Sequence, residues 1–154
     1  MLEYIMQNNR PKLLLVDDEP DILETLVLIL EKDGYIIETA ENGVVALDKI
    51  NNTNYDLVVC DYVMPKMDGI SLLKKIREQN NLIPFIFFSG NANDEHSKRM
   101  MELGAMALVS KSEIFKLPSV VKRSIMHGKG IKNLADKHTE ESDEFVKILN
   151  STKS

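Results

Sequence analysis

The chain has a single cysteine, Cys60, among its 154 residues. A lone cysteine cannot form a disulfide within the chain, and it excludes a metal site of the CxxC kind. The sequence is therefore consistent with a reducing compartment. Basic residues are also fewer than acidic ones, and the formal net charge is −5. This balance argues against nucleic-acid binding, which usually depends on a basic patch or a high pI.

Long apolar runs are missing as well. The most apolar helical stretch, Ile22–Leu30, is short and contains Glu24 and Thr25, whereas a membrane span needs about 20 predominantly apolar residues. The first residues, MLEYIMQNNRPK, have neither a basic start nor a sustained apolar segment, so they do not resemble a signal peptide. We therefore expect a cytoplasmic protein without membrane insertion. Hydrophobic residues still form 44% of the chain, which suffices for an ordinary globular core.

Short apolar runs alternate five times with helical patterns. The runs predict β-strands at residues 13–16, 35–39, 57–60, 85–88 and 106–109, and the periodic stretches predict helices at 21–32, 43–50, 69–78, 94–103 and 113–126. Because the strands at 13–16, 57–60 and 85–88 are apolar throughout, we expect them to be buried on both faces of a parallel sheet. The predicted fold class is α/β, a doubly wound five-stranded parallel sheet of flavodoxin-like order 2-1-3-4-5 with helices on both faces.

The character of the sequence changes near residue 128. We expect an N-terminal extension at 1–10, one α/β domain at 11–127, and a linker with a polar tail at 128–154. Gly128-Lys129-Gly130 reads as the linker, and apolar residues beyond it could form one further amphipathic helix. The tail is too short for a standard DNA-binding output domain. Two interpretations of it stay open, a homodimerisation element or the beginning of a linker to another domain.

Polar side chains stand at the ends of four predicted strands. Asp17 and Asp18 follow the first strand, Asp61 the third and Ser89 the fourth, and Lys111 lies beyond the fifth. In a parallel sheet these ends share one edge, where ligands usually bind. Three carboxylates at one place repel each other strongly unless a cation lies between them. Carboxylate oxygens that leave room for water and phosphate suit Mg²⁺, which is the predicted cofactor.

The same residues predict a reaction. A carboxylate can attack phosphorus and form an aspartyl phosphate, and Asp61 is the expected nucleophile because its strand is central in the predicted order. The Lys111 ammonium would pair with one phosphate oxygen, and the Ser89 hydroxyl would donate a hydrogen bond to another. Each residue alone has an ordinary explanation, such as a helix cap for the acid pair. Their conjunction at one edge favours a functional site.

Four stretches resemble the receiver domains of two-component response regulators. They read LLLVDDEP, LVVCDYVMPKMDG, FIFFSG and LGAMALVSK, and they extend over about residues 11 to 127 in the family's order and spacing. The resemblance implies that Asp61 accepts a phosphoryl group from a sensor histidine kinase or a phosphotransfer protein. It further implies a switch in binding to a downstream protein target, transmitted through the face made by helix four, strand five and helix five.

The resemblance also implies roles for the other site residues. Asp18 and Asp61 would bind Mg²⁺ directly, Asp17 would act through a water molecule, and the backbone carbonyl of Val63 would be a further ligand. Ser89 and Lys111 correspond to the family's switch hydroxyl and its phosphate-binding lysine. Proteins of this kind are signalling domains, and the only chemistry expected of them is their own phosphorylation and dephosphorylation.

The chain departs from the family pattern at two positions. Leu108 stands where the family often has Tyr or Phe, whose side chain changes rotamer when the domain switches. Leucine offers neither the ring nor the hydroxyl of that switch. Ser112 follows Lys111 where proline is usual, and a Lys-Ser peptide has no readily accessible cis form. Neither change removes a residue that the phosphorylation chemistry needs.

Two other interpretations compete with this one. A phosphohydrolase of the haloacid dehalogenase type also uses aspartyl phosphate and Mg²⁺, but it places a DxD nucleophile after strand one and usually carries a cap domain. Asp17-Asp18-Glu19 lacks that spacing. A receiver-like protein that binds partners without phosphorylation is the second alternative, and the presence of every acidic and basic site residue argues against it.

Overall fold

The computed structural model describes residues 9–90 and 92–130. Within them, five parallel strands form a sheet in the order β2-β1-β3-β4-β5. The strands are β1 (Lys12–Val16), β2 (Ile36–Ala40), β3 (Leu57–Cys60), β4 (Phe85–Ser89) and β5 (Ala107–Ser110). The predicted fold class and strand order are confirmed.

Helices connect the strands. They are α1 (Pro20–Leu30), α2 (Gly43–Asn52), α3 (Gly69–Glu78), α4 (Asp94–Glu102) and α5 (residues 117–130), with 3₁₀ turns at Glu31–Asp33 and Lys111–Lys116. Asn42, Asp68 and Asn93 cap α2, α3 and α4, because each side chain accepts a hydrogen bond from the backbone N–H three residues ahead. Among the described helices, none is long and apolar enough to cross a membrane.

Two hydrophobic clusters cover the two faces of the sheet. Alternate strand residues such as Val58 and Phe87 pack on one side against α2, α3 and α4. Their neighbours, such as Val59 and Phe88, pack on the other side against α1 and α5. Because both faces are covered, the strands are apolar at nearly every position, which is the pattern that identified them in the sequence.

The last helix differs from its prediction. A 3₁₀ turn occupies Lys111–Lys116, and α5 begins only at residue 117, because Glu113 has a non-helical backbone (φ −115°, ψ 37°). At the other end, residues 128–130, which were predicted to begin a linker, continue α5 as helix. A Cβ on Gly128 would lie 2.8 Å from Pro84 Cγ. The glycine therefore permits close packing of α5, a role that its sequence context does not distinguish from a linker.

Other boundaries move by one or two residues. β2 and β5 each begin and end one residue later than predicted, and α1 covers Pro20–Leu30 where 21–32 was expected. The first eight residues of the expected N-terminal extension and the predicted helix after residue 130 lie outside the described residues.

An ion pair joins β1 to β2 near the amino end of the sheet. Lys12 Nζ lies 2.7 Å from Glu38 Oε2, and the Tyr55 hydroxyl donates to Glu38 Oε1 at 2.9 Å. The hydrogen bond from Lys12 is the main cause that lowers the pKa of Glu38. Burial and the bond to Glu38 raise the pKa of Tyr55 to about 12. The charged form of Glu38 is therefore stabilised in the folded protein.

Replacing Glu38 by Gln should lower the free energy of unfolding by about 0.5–1 kcal/mol at pH 7, since the pair is partly exposed. A carboxylate whose pKa is lowered by folding stabilises the protein above its unfolded pKa, and the contribution is lost as the pH falls through the folded pKa. The difference between the two proteins should therefore close below about pH 4.5. Urea unfolding across this range measures it, with Glu24→Gln on exposed α1 as control. A difference that does not shrink as the pH falls below 4.5 would contradict the assignment.

Candidate functional site

The polar strand ends meet at the carboxyl edge of the sheet. The backbone N–H of Asp61 donates to the carbonyl of Val16 at 2.9 Å, and that of Asp17 donates to the carbonyl of Ala40 at 3.1 Å. Each aspartate therefore continues the hydrogen-bond ladder one residue beyond its strand. This places both side chains above the centre of the sheet, where β1 and β3 are neighbours.

Three carboxylates form a cluster at this edge. One oxygen from each of Asp17, Asp18 and Asp61 lies within 4.8 Å of the others. Asp17 and Asp61 are buried, whereas Asp18 is exposed. The cluster is thus open to solvent on one side only. The structure brings together the three acidic residues that the sequence predicted would meet.

Lys111 neutralises part of this charge. Its Nζ lies 3.0 Å from Asp17 Oδ2 and 3.0 Å from Asp61 Oδ2. Burial alone would lower the pKa of Lys111, but the two carboxylates outweigh burial and raise it. Burial raises the pKa of Asp17, although the N–H of Glu19 and the Lys111 ammonium oppose that rise. One ammonium is therefore insufficient to offset the cost of burying the carboxylate.

An oxygen of Asp17 gives a test of whether a cation fits. Asp17 Oδ2 is buried, and no group in the described part of the chain donates a hydrogen bond to it with acceptable geometry, although Lys111 is close enough to form an ion pair. A buried carboxylate oxygen without a donor is costly. Next to two further carboxylates, it has the character of a ligand for a hard divalent cation. The cluster can hold a metal ion.

The structure places Ser89 and Val63 near the cluster without joining them to it. Ser89 is the last residue of β4 and is buried, and no hydrogen bond within residues 9–90 and 92–130 connects it to a carboxylate. Val63 lies two residues after Asp61, and 61% of its side chain is exposed. An exposed apolar side chain is compatible with a role for its backbone carbonyl. The roles of both residues stay predictions.

The loop after Asp61 is held by close backbone contacts. The N–H of Gly69 donates to the carbonyl of Tyr62 at 2.8 Å, and Lys66 adopts φ 68°. A Cβ at Gly69 would lie 2.3 Å from the Asp61 carbonyl oxygen and 2.8 Å from Phe87 Cε1. The loop therefore turns back directly beneath Asp61.

The turn after β5 is closed without proline. Ser110 Oγ lies 2.9 Å from Ser112 Oγ and accepts a hydrogen bond from the Ser112 N–H at 3.4 Å. These contacts fix the chain where Lys111 reaches toward the acids. Leu108 on β5 is 36% exposed and lines a groove of about 370 Å³ between the loop after β4, β5, the following 3₁₀ turn and α5. Its side chain therefore contributes apolar surface to that groove.

Sequence reasoning missed one contact at the site. The rings of Tyr62 and His96 lie 4.7 Å apart between centroids, at an angle of 45°. His96 is only partly exposed, and its Nδ1 is buried. No periodic signal joins a loop residue to a helix residue 34 positions away, so this contact depends on the fold.

Comparison with protein families agrees with this geometry. The family described as the response regulator receiver domain matches residues 13–122. The chain belongs to this family. The match covers both acid-bearing strand ends, Ser89 and Lys111, so all the predicted site residues lie inside the receiver domain.

Known receivers support the family and the fold. This domain is 37% identical over 128 residues to a "Transcriptional regulatory protein CpxR homolog" of Haemophilus influenzae, covering 80% of this chain and 56% of that protein. The chain therefore spans about half the length of that curated relative. It also resembles the solved receiver domain of the Francisella response regulator 1452, with 34% identity, a TM-score of 0.72 and coverage of 77% of this chain and 98% of that one.

A receiver that is part of a kinase is similar as well. The signal receiver domain of a signal transduction histidine kinase from Syntrophus aciditrophicus shows 32% identity and a TM-score of 0.70. The match covers 76% of this chain and 91% of that one. Similarity therefore extends to receivers from regulators and from a kinase, and it does not assign this receiver to either setting.

Proposed function

We propose that this receiver domain is a phosphorylation switch in which Asp61 accepts a phosphoryl group in a Mg²⁺-dependent reaction. The observation that carries the proposal is the meeting of three carboxylates with Lys111 at one edge of the sheet. Asp61 is the member of that cluster that follows the central strand β3. The domain acts in signalling, and its own phosphorylation is the only chemistry we assign to it.

In the proposed transfer, an oxygen of Asp61 forms a bond with phosphorus while the phosphorus–nitrogen bond of a donor phosphohistidine breaks. The electron pair returns to the imidazole nitrogen, which takes up a proton from solvent. Lys111, now paired with both acids, would pair with a phosphoryl oxygen. Ser89, at the end of the neighbouring strand, would donate a hydrogen bond to another.

The acidic cluster would hold the metal ion. Asp18 and Asp61 are proposed as direct ligands, Asp17 as a ligand through water and Val63 as a ligand through its carbonyl. When bound, Mg²⁺ supplies positive charge that offsets the negative charge of the phosphoryl group. Asp18 is exposed, so a phosphoryl donor can approach the site from its side. Asp17 is buried and places a carboxylate at the bottom of the site.

The proposed partners are proteins. A sensor histidine kinase or a phosphotransfer protein would supply the phosphoryl group, and the groove between β5, the following 3₁₀ turn and α5 would contact a downstream protein target. We propose a cytoplasmic setting and no direct contact with nucleic acid, in line with the net charge of −5. A homodimer remains compatible with these assignments.

Intact-mass measurement after incubation with Mg²⁺ and a small phosphodonor tests the proposal. We expect one phosphoryl adduct on the wild type and none on Asp61→Asn. Asp56→Asn is a matched control, because Asp56 precedes the same strand at the opposite edge of the sheet. That variant should be labelled like the wild type. Chelation of Mg²⁺ should abolish the adduct.

Three outcomes would count against the proposal. An adduct on Asp61→Asn would place the acceptor elsewhere, and an adduct mapped to Asp17 would favour the haloacid dehalogenase interpretation. Absence of any adduct on the wild type, with several donors, would favour a receiver that binds its partners constitutively.

A further inference from the structure

The ring contact between Tyr62 and His96 joins the acceptor loop to α4. Tyr62 follows Asp61 directly, and its backbone N–H donates to Asp61 Oδ1 at 2.7 Å. Its ring meets His96 with a centroid distance of 4.7 Å and a tilt of 45°, within the range of favourable aromatic pairs. Tyr62 thus contacts both the Asp61 carboxylate and α4, the helix that connects β4 to β5.

The contact lies where α4 begins. His96 is in the first turn of α4, and its N–H donates to the capping Asn93 side chain at 2.8 Å. Met100 is the one fully buried residue of α4, so the helix is anchored in the core by a single side chain. A helix with so little buried surface can move at low cost. The cap and the Tyr62 ring therefore have a large share in fixing its first turn.

Phosphorylation of Asp61 would weaken this arrangement whichever oxygen reacts. If Oδ2 takes the phosphoryl group, Oδ1 becomes the uncharged carbonyl oxygen of an acyl phosphate, and a hydrogen bond to an uncharged acceptor is about half as strong as one to a carboxylate. If Oδ1 itself takes the phosphoryl group, the Tyr62 N–H loses the acceptor that it now has. In both cases the constraint on the Tyr62 backbone, and hence on its ring, is reduced.

We propose that Tyr62 and His96 are positioning residues that transmit the state of Asp61 to α4. The inference rests on the proposed phosphorylation of Asp61. It assigns a route that does not depend on Leu108, whose aliphatic side chain has no ring to rotate. The unphosphorylated carboxylate holds Tyr62 against His96, and the acyl phosphate releases it, which shifts α4 toward a second arrangement.

Hydrogen exchange of α4, measured by mass spectrometry with and without phosphodonor, tests the inference. In the wild type, phosphorylation should change exchange over residues 94–102. His96→Leu keeps the volume but removes the aromatic ring, and it should reduce that change at least twofold. His96→Phe keeps the aromatic contact and should restore it. His127→Leu, at an exposed position of α5, is the matched control and should behave like the wild type.

The same samples separate the possible failures, because intact mass reports the adduct directly. An adduct on both His96 variants with equal exchange changes in α4 would overturn the coupling and leave the phosphorylation proposal standing. If the Phe variant behaves like the Leu variant, the ring contact is not the link. Absence of an adduct on the wild type would overturn the phosphorylation proposal itself.

Discussion

Gly69→Ala should unfold the receiver at a markedly lower denaturant concentration and strongly reduce phosphorylation of Asp61. The added Cβ would lie 2.3 Å from the Asp61 carbonyl oxygen and 2.8 Å from Phe87 Cε1. Neither atom can move freely, since one is backbone and the other belongs to a fully buried ring. Overpacking of this kind costs about 3 kcal/mol, a large part of the total stability of a small domain.

The effect on function follows from the same contact. Relief of the clash must displace either the start of α3 or the backbone of Asp61, and the acceptor carboxylate would then leave its place beside Lys111. Urea unfolding measures the stability, and intact mass measures the adduct under conditions where the variant is folded.

Gly90→Ala is the control for Gly69→Ala. No heavy atom in the described part of the chain lies within 4 Å of a Cβ at this position, apart from the glycine's own neighbours. Its stability should change by less than about 0.5 kcal/mol. If the free energy of unfolding of Gly69→Ala is also within 0.5 kcal/mol of the wild-type value, the fold does not need the close approach beneath Asp61.

The sheet could be predicted from sequence because its signals are local. Strands buried on both faces are apolar throughout, and each of them ends at a polar residue or a turn. Strict alternation with helices then leaves few topologies. The meeting of Asp17 and Asp61 follows from the same logic, since neighbouring parallel strands end at one edge.

Features that depend on contacts between distant segments could not be predicted in this way. Gly128 packs against Pro84 and carries the same local signal as a flexible linker. The helical pattern after β5 begins at Glu113, yet the 3₁₀ turn that positions Lys111 delays α5 to residue 117. His96 looks like any surface histidine until α4 is placed beside the acceptor loop. Sequence periodicity indicates which face of a helix or strand is buried. It does not indicate which distant residues pack against that face.

Arg77 makes the most extensive of these contacts between distant segments. Its replacement by methionine should destabilise the receiver by about 3 kcal/mol. Its guanidinium lies at the end of α3 and donates to four backbone carbonyls, those of Asn81, Ile83, Leu103 and Gly104. Two of these carbonyls lie in the loop before β4 and two in the loop before β5. One side chain therefore ties the entries of two strands to one helix.

The expected loss has a simple cause. Methionine keeps most of the apolar stem but cannot donate, so partly buried carbonyls are left without a partner at about 1–3 kcal/mol each where water cannot replace the donor. Burial lowers the pKa of Arg77, and the four carbonyls supply the polar contacts that a desolvated guanidinium needs. Lysine has a single ammonium and cannot reach carbonyls on both loops in this planar geometry, so Arg77→Lys should recover only part of the loss.

Urea unfolding of Arg77→Met, Arg77→Lys and Arg99→Met tests this prediction. Within the described residues, the exposed Arg99 side chain on α4 makes one long ion-pair contact, of 3.9 Å with Glu102, so its replacement should change stability by less than about 0.5 kcal/mol. The adduct on Asp61 should still form on folded Arg77→Met, because Arg77 contacts no residue of the acidic cluster within the described chain. Equal stability of the two methionine variants would mean that solvent satisfies the four carbonyls as well as the guanidinium does.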